Sequence, residues 1–340
     1  MSMRTLVRDF AGNMLHLARI THPAKRHAGQ MLVATFHRVL PEIERKQYPY
    51  PGLAVTPEEL RWFLSYFKQH YSCGHLAEIH RRHAAGEQPL KPFLAITFDD
   101  GQLDNYQHAR PVLAELEINA SFFIPVNNVD QSLAIWHDQL GFAVLHAVKT
   151  PARQQLLRHL LRDIDVTVSA NRWIGTIAEA AKHMSPERRH TFVDEIDAIG
   201  NHAGIPEWAA LMSWSQIEAL SKAGHEIGSH SMTHALLPQC DDISLDFELV
   251  ESKRILEQHI NQAVESFCYP NGDHDTRTIE AVQRAGYRRA VTTHWGVNSI
   301  NANAFSLKRC DMDALRVRTS TGCLSAALLA LRLSGLHPKL

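Results

Sequence analysis

The 340-residue chain has no run approaching the roughly 20 consecutive apolar residues a membrane-spanning helix needs, and its opening segment meets Arg4, Arg8, Asp9 and Asn13 before a long apolar stretch can form. Neither a transmembrane span nor an export signal is expected. Cysteine is sparse and odd in number: Cys73, Cys240, Cys268, Cys310 and Cys323 stand far apart with no CxxC pair. That spacing excludes a disulfide framework and suits a reducing cytoplasm. Net charge is nearly absent too. The 35 Lys and Arg stand against 36 Asp and Glu, so the chain lacks the overall basic field that draws nucleic acid, which is not an expected partner. There is no internal repeat and no low-complexity linker. With 45% hydrophobic and 21% charged residues, the composition is that of a globular domain and excludes a disordered or fibrous chain.

The charge that is present lies unevenly. Residues 1–30 hold Arg4, Arg8, Arg19, Lys25 and Arg26 against Asp9, and residues 316–340 hold Arg316, Arg318, Arg332 and Lys339 with no acid, so each end carries +4 and the middle −9. Both ends are also apolar at helical spacing, through Leu6, Val7, Phe10, Met14 and Leu17 at one and Leu324, Leu328, Leu331 and Leu336 at the other. Two readings stand open: helices docked on the domain, or a peripheral foothold on an anionic membrane, where a basic amphipathic helix combines apolar insertion with charge.

Seven short runs rich in β-branched and aromatic residues, each bounded by turn formers, read as strands at about 31–36, 93–98, 120–125, 225–229, 265–269, 289–293 and 306–310. Helical patterns lie between them, at 57–70 behind Thr56 with Glu58 and Glu59 in the first turn, at 105–116 and at 244–260. This alternation predicts an α/β protein with a parallel sheet. It breaks once, from about 130 to 215, where helix follows helix, most clearly at 151–161, 172–183 and 186–202. The expected organisation is a basic amphipathic segment at 1–30, one main domain at 31–315 with an α-helical insertion on one loop, and a basic apolar helix at 316–340.

The strand at 93–98 runs into Asp99, Asp100 and Gly101. Adjacent carboxylates at the carboxyl end of a buried parallel strand stand where α/β folds bind ligands, and they repel each other unless a cation or a shared proton relieves them. The plain alternative is that one of them caps the helix starting near Asn105. Among 22 histidines only His230 and His234 form a His-X3-His pair, directly after a strand. A spacing of four puts both imidazoles on one side of a helical turn, an arrangement that binds a divalent ion; two solvated histidines at a helix start are the alternative. Two His and one carboxylate make a facial set with open positions for water.

In combination these residues resemble the NodB-like polysaccharide deacetylases, which are metal-dependent carbohydrate esterases. The resemblance rests on TFDDG at 97–101, HSMTH at 230–234 with its lead-in GHEIGS, FCYPNG at 267–272, AGYRRAVTT at 285–293 and TFHRV at 35–39. It implies a distorted (β/α)7 barrel of the α/β class, with Asp99 as general base and Asp100, His230 and His234 as ligands of a divalent ion, most often zinc with cobalt as a substitute. A backbone N–H near Asn271 is implied as oxyanion donor, and Tyr269, Pro270, His294 and Trp295 are expected against the sugar. Three departures stand out. Cys268 takes the place of the Arg usual before the Pro of the third motif, the loop after the sixth strand reads TTHWG, and the late histidine that would act as general acid is missing from SLKRCDM. His37, His274 and His294 are the candidate proton donors, His37 being preferred at a strand end. Trp136, His137 and Asp138 either lie over the barrel mouth or merely start a helix.

The activity implied is removal of an N-acetyl group from an amino sugar of a polysaccharide, glycolipid or lipid-linked precursor of a cell-envelope glycan, by a cytoplasmic enzyme held at the inner membrane face. Two other readings remain: a cyclic amide or imide hydrolase on the same barrel, which the intact metal set disfavours, and a glycan-binding relative without turnover, motivated by the missing Arg and His.

Overall fold

A parallel strand buried on both faces has no polar side to alternate with, and Met31–Phe36 and Phe93–Phe98 show this pattern, apolar throughout except for Thr35 and Thr97. In the computed structural model, which describes residues 3–130, 134–168 and 172–336, every one of the seven expected strands forms. They are β1 (Gln30–Phe36), β2 (Phe93–Phe98), β3 (Ser121–Ile124), β4 (Glu226–Ser229), β5 (Ser266–Cys268), β6 (Arg289–Trp295) and β7 (Leu307–Asp311). Neighbours pair in parallel in chain order. The barrel closes because β1 pairs both with β2, Leu32 opposite Leu94, and with β7, Ala34 opposite Cys310.

Side chains alternate across each strand. Met31, Val33, Phe93, Ala95, Phe123, Cys268, Val291 and Leu307 form one cluster inside the barrel, closed below by Leu76 and Ile79 of a helix at Leu76–Ala84. Leu32, Ala34, Phe36, Leu94, Ile96 and Phe98 face outward into the helical layer. The period of two then carries Thr35 and His37 on β1, Thr97 and Asp99 on β2, and Arg309 on β7 to the inside of the upper end.

Helix α1 (Met3–Leu17) packs along α5 (Ala326–Leu333). Asp9 accepts the Ser320 N–H at 2.6 Å, and Arg8 donates to the Arg318 carbonyl. The outer side of α1 leaves Leu6, Val7, Phe10, Met14 and Leu17 exposed. At the other end the helix starts only at Ala326, after a turn closed by the bridge between Arg318 and Leu324. Leu328 and Leu331 are buried there, and Arg332 lies over the Trp295 ring and pairs with Asp311 at 2.9 Å, so that end is docked; Lys339 lies outside the described residues. The insertion leaves after β3 and returns to β4. Its helices include α2 (Trp136–Ala147), α3 (Trp173–Lys182) and α4 (Pro186–Ile199), which ends three residues short of the expected boundary as Asn201 and His202 turn left-handed. These helices share their own core, with Leu140, Val144, Ile177, Phe192 and Ile196 in it. Helix α2 sits flush on the loop at 49–50: a Cβ on Gly141 would lie 2.7 Å from Pro49 Cβ.

Candidate active site

The register of β1 against β2 puts Phe36 opposite Phe98, so the next residues, His37 and Asp99, emerge side by side at the mouth. His37 Nε2 lies 3.8 Å from Asp99 Oδ2. Asp99 is 2% exposed and accepts two bonds from one guanidinium, Arg309 Nη1 to Oδ1 at 2.8 Å and Nη2 to Oδ2 at 2.7 Å. Burial works against the Asp99 charge and Arg309 overcomes it, holding the carboxyl below its ordinary value. Sequence reasoning missed Arg309. The guanidinium that Cys268 cannot supply arrives from β7, the strand on which a histidine was sought. Its available signal was the alternation Leu307 in, Lys308 out, Arg309 in, with a cation at an interior position. Cys268 is fully buried, its Sγ 3.6 Å from Asp99 Oδ2 and 3.3 Å from Arg309 Nη2.

Asp100 turns the other way. Its backbone is left-handed, φ 72°, and neither aspartate caps a helix. Oδ1 lies 3.4 Å from both His230 Nε2 and His234 Nε2, and Oδ2 lies 3.7 Å from His137 Nε2. The two histidines meet differently from expectation. Residues 230–234 are a loop, with Ser231 and His234 left-handed, because buried Glu248 accepts the Met232 and Thr233 N–H groups at 2.8 and 3.0 Å and the Thr233 hydroxyl at 2.6 Å. Those bonds replace the ones a helix would have made. His230 Nδ1 donates to the Cys268 carbonyl at 2.7 Å, which leaves Nε2 free toward Asp100. Burial pushes His234 down to about 4, so its ring is neutral at neutral pH. Burial also opposes the Asp100 charge, and the contacts with His230 and His234 overcome it.

These donors fit a divalent ion. Imidazole nitrogens and a carboxylate suit zinc or cobalt, and donors bound to one ion at tetrahedral angles sit about 3.4 Å apart for bonds of about 2.1 Å. Two sets of donors converge, Asp100 with His137 and His234, and Asp99 with His230 and Cys268; in the second, Arg309 already neutralises Asp99, and burial pushes the Cys268 thiol up, keeping it protonated. The Asp100 set is therefore the one that calls for a cation.

Above these residues lies a cavity of about 510 Å³. His37, Asp99, Asp100, Tyr269, Asn271 and Thr293 form its barrel side, and Trp136, His137, Ala178, Glu179 and Lys182 form a wall contributed by the insertion. Asn271 is left-handed, and its side chain donates to Asp273 at 2.8 Å. The turn depends on Gly272, where a Cβ would fall 2.1 Å from Thr293 Oγ1. Pro270 is buried beneath this turn. Pro270 and two further residues expected against the sugar lie outside the cavity. His294 faces a shallower depression with His274, and Trp295 is held under Arg332, its ring 4.2 Å from the guanidinium.

A model of the polysaccharide deacetylase family matches residues 86–290, more than half of the chain, and the chain belongs to that family. It is 21% identical over 241 residues to YxkH of Bacillus subtilis (strain 168), a protein assigned by name to the polysaccharide deacetylases; the match takes in 71% of this chain and 56% of YxkH, so the chain spans little more than half of that relative. Among solved structures, the deacetylase PplD of Streptococcus pyogenes, determined with acetate, superposes with a TM-score of 0.56 at 18% identity, over 84% of this chain and 93% of that one. The polysaccharide deacetylase BC0361 of Bacillus cereus gives 0.54 at 18% identity, over 84% and 66%. At such identities the likeness establishes the barrel.

Proposed function

We propose that this protein is a metal-dependent hydrolase that removes the N-acetyl group from an amino sugar of a glycan. One observation carries the reading: two adjacent carboxylates are separated in role, Asp99 being clamped by Arg309 while Asp100 faces His230 and His234. Asp100, His230 and His234 would hold the ion, zinc or cobalt. A divalent ion bound there supplies Lewis acidity, lowering the pKa of water and polarising a carbonyl. Asp99 takes the proton of the attacking water as its oxygen bonds to the acetamide carbon. His37, on the same rim, gives a proton to the nitrogen as the carbon–nitrogen bond breaks, so acetate and a free amine leave. The backbone at Asn271 steadies the developing oxyanion. Arg309 removes one of the two motives for a binding-only reading, since the charge partner of Asp99 is present after all. The Asp100, His230 and His234 set argues against a cyclic amide or imide hydrolase.

The test is acetate release from N-acetylated sugars, nucleotide sugars and lipid-linked glycans, before and after chelation and re-addition of zinc or cobalt. Metal-dependent release that disappears in Asp99→Asn is expected. Bound metal with no release from any of them counts against the activity.

The acceptor we favour is a lipid-linked or membrane-proximal glycan, with the enzyme at the cytoplasmic face of a membrane. The support is the solvent side of α1, where Phe10 is 69% and Leu17 75% exposed beside basic residues, a pattern suited to an anionic leaflet. Flotation with anionic vesicles should carry the protein upward, and Phe10→Glu should abolish it; absence of binding by the unaltered protein sinks this part.

A further inference from the structure

His137 is the second residue of α2, and three contacts fix where it points. Trp136 Nε1 donates to the His234 carbonyl at 3.2 Å, the Tyr50 hydroxyl donates to the His137 carbonyl at 2.9 Å, and α2 rests on Pro49 and Tyr50 at Gly141. The ring lies 5.1 Å from that of His234. Its two nitrogens face different partners. Nε2 is turned to Asp100, and Nδ1 lies 3.2 Å from Asp138 Oδ1. Asp138 is itself fully buried and held by the Tyr48 hydroxyl at 2.8 Å, Arg38 at 3.0 Å and Gln102 at 3.2 Å. A carboxylate behind one imidazole nitrogen, itself anchored by hydrogen bonds, is the support found behind metal-ligating histidines, since it sets the tautomer and leaves the other nitrogen free to ligate. The ligand-type atoms of Asp100, His137 and His234 all lie within 4.8 Å of one another.

We propose that His137 is a further ligand of the divalent ion, so that the helical insertion and the barrel share one metal centre. This rests on the metal-dependent reading above and adds to it a donor from outside the barrel. The site then offers three imidazoles and one carboxylate, and an ion held by all four must expand its coordination to admit substrate. The insertion is thereby tied to the barrel at the floor of the cavity whose wall it forms.

The test uses the full chain loaded with cobalt alone. Affinity is measured by competition with a chromogenic chelator, and the visible ligand-field band of the bound ion is recorded, for the unaltered protein, His137→Gln, Asp138→Asn, His234→Gln and, as a control, His159→Gln on an exposed helix face. His137→Gln is expected to bind cobalt more weakly, with an altered band, and Asp138→Asn to weaken binding about tenfold to a hundredfold. Unchanged affinity and band in His137→Gln, alongside a loss in His234→Gln, overturns the proposal while leaving the metal-dependent reading intact. If the unaltered protein binds no cobalt, both fall. A measurement without variants covers the case in which His137→Gln misfolds: X-ray absorption of the zinc-loaded protein should count three imidazoles, and a count of two overturns the proposal.

Discussion

Asp99 is almost wholly buried and takes both of its strong hydrogen bonds from one side chain, so its charge depends chiefly on Arg309. Breaking such a buried pair from one side costs about 3–5 kcal/mol, because the remaining charge has no compensation. Arg309→Met should therefore lower the unfolding free energy by about that much in urea titration, and adding Asp99→Asn should recover most of it. Simple additivity of the two losses would mean that the pair is not the source. At this scale the sequence was legible where a residue stands in its own motif, as Asp99, Asp100, His230 and His234 do. Arg309 escaped because it replaces in space a residue absent in sequence. Motifs record order along the chain, whereas a carboxylate responds only to distance.

Among the elements, the loop at 230–234 shows what a spacing can and cannot say. His-X3-His is satisfied by a helical turn, and equally by a bend with two left-handed residues, and nothing within the five residues separates the two. Glu248, fourteen positions further on, decides it by taking the backbone N–H groups of Met232 and Thr233. Glu248→Ala should cost about 1–3 kcal/mol for each buried N–H left without a partner, and it should weaken cobalt binding although Asp100, His230 and His234 are all retained. Denaturant unfolding and chelator competition read the two effects, and unchanged ion affinity would show that the loop holds its shape without Glu248. Helix Pro57–His70 was legible to the residue for the opposite reason. Its signal is local: the Thr56 hydroxyl accepts the Glu59 N–H at 3.2 Å and the Glu59 carboxylate accepts the Thr56 N–H at 2.9 Å.

For the molecule as a whole, the seven strands could be read because each is a short apolar run between turn formers; how the insertion meets the barrel could not, since those contacts join residues about a hundred positions apart. Buried histidines give the fold a pH dependence. His27, with Nε2 3.0 Å from the Leu333 carbonyl, ties the start of the barrel to α5, and His225 lies behind Phe122. Burial pushes both down to about 4 from an ordinary 6.5. Unfolded, both take up protons as pH falls through 6.5; folded, they do so only near 4. The unfolded state binds more protons between those values, so stability is full above about pH 6.5 and falls as pH drops toward 4, by at most about 1.4 kcal/mol per pH unit for each histidine. Thermal midpoints across that window should decline, and the slope should flatten in a His27→Asn, His225→Asn double variant; an unaltered slope would assign the decline to other groups.

The missing side chain at Gly141 has a mechanical meaning. Helix α2 touches the Pro49–Tyr50 loop with no clearance, so that loop acts as a stop against which the insertion is seated. Any bulk at position 141 would behave like a shim, tilting one wall of the cavity and withdrawing His137 from Asp100 without altering a single reactive group. The width of the cleft is thus gauged where the bare backbone of one helix meets the rings of Pro49 and Tyr50.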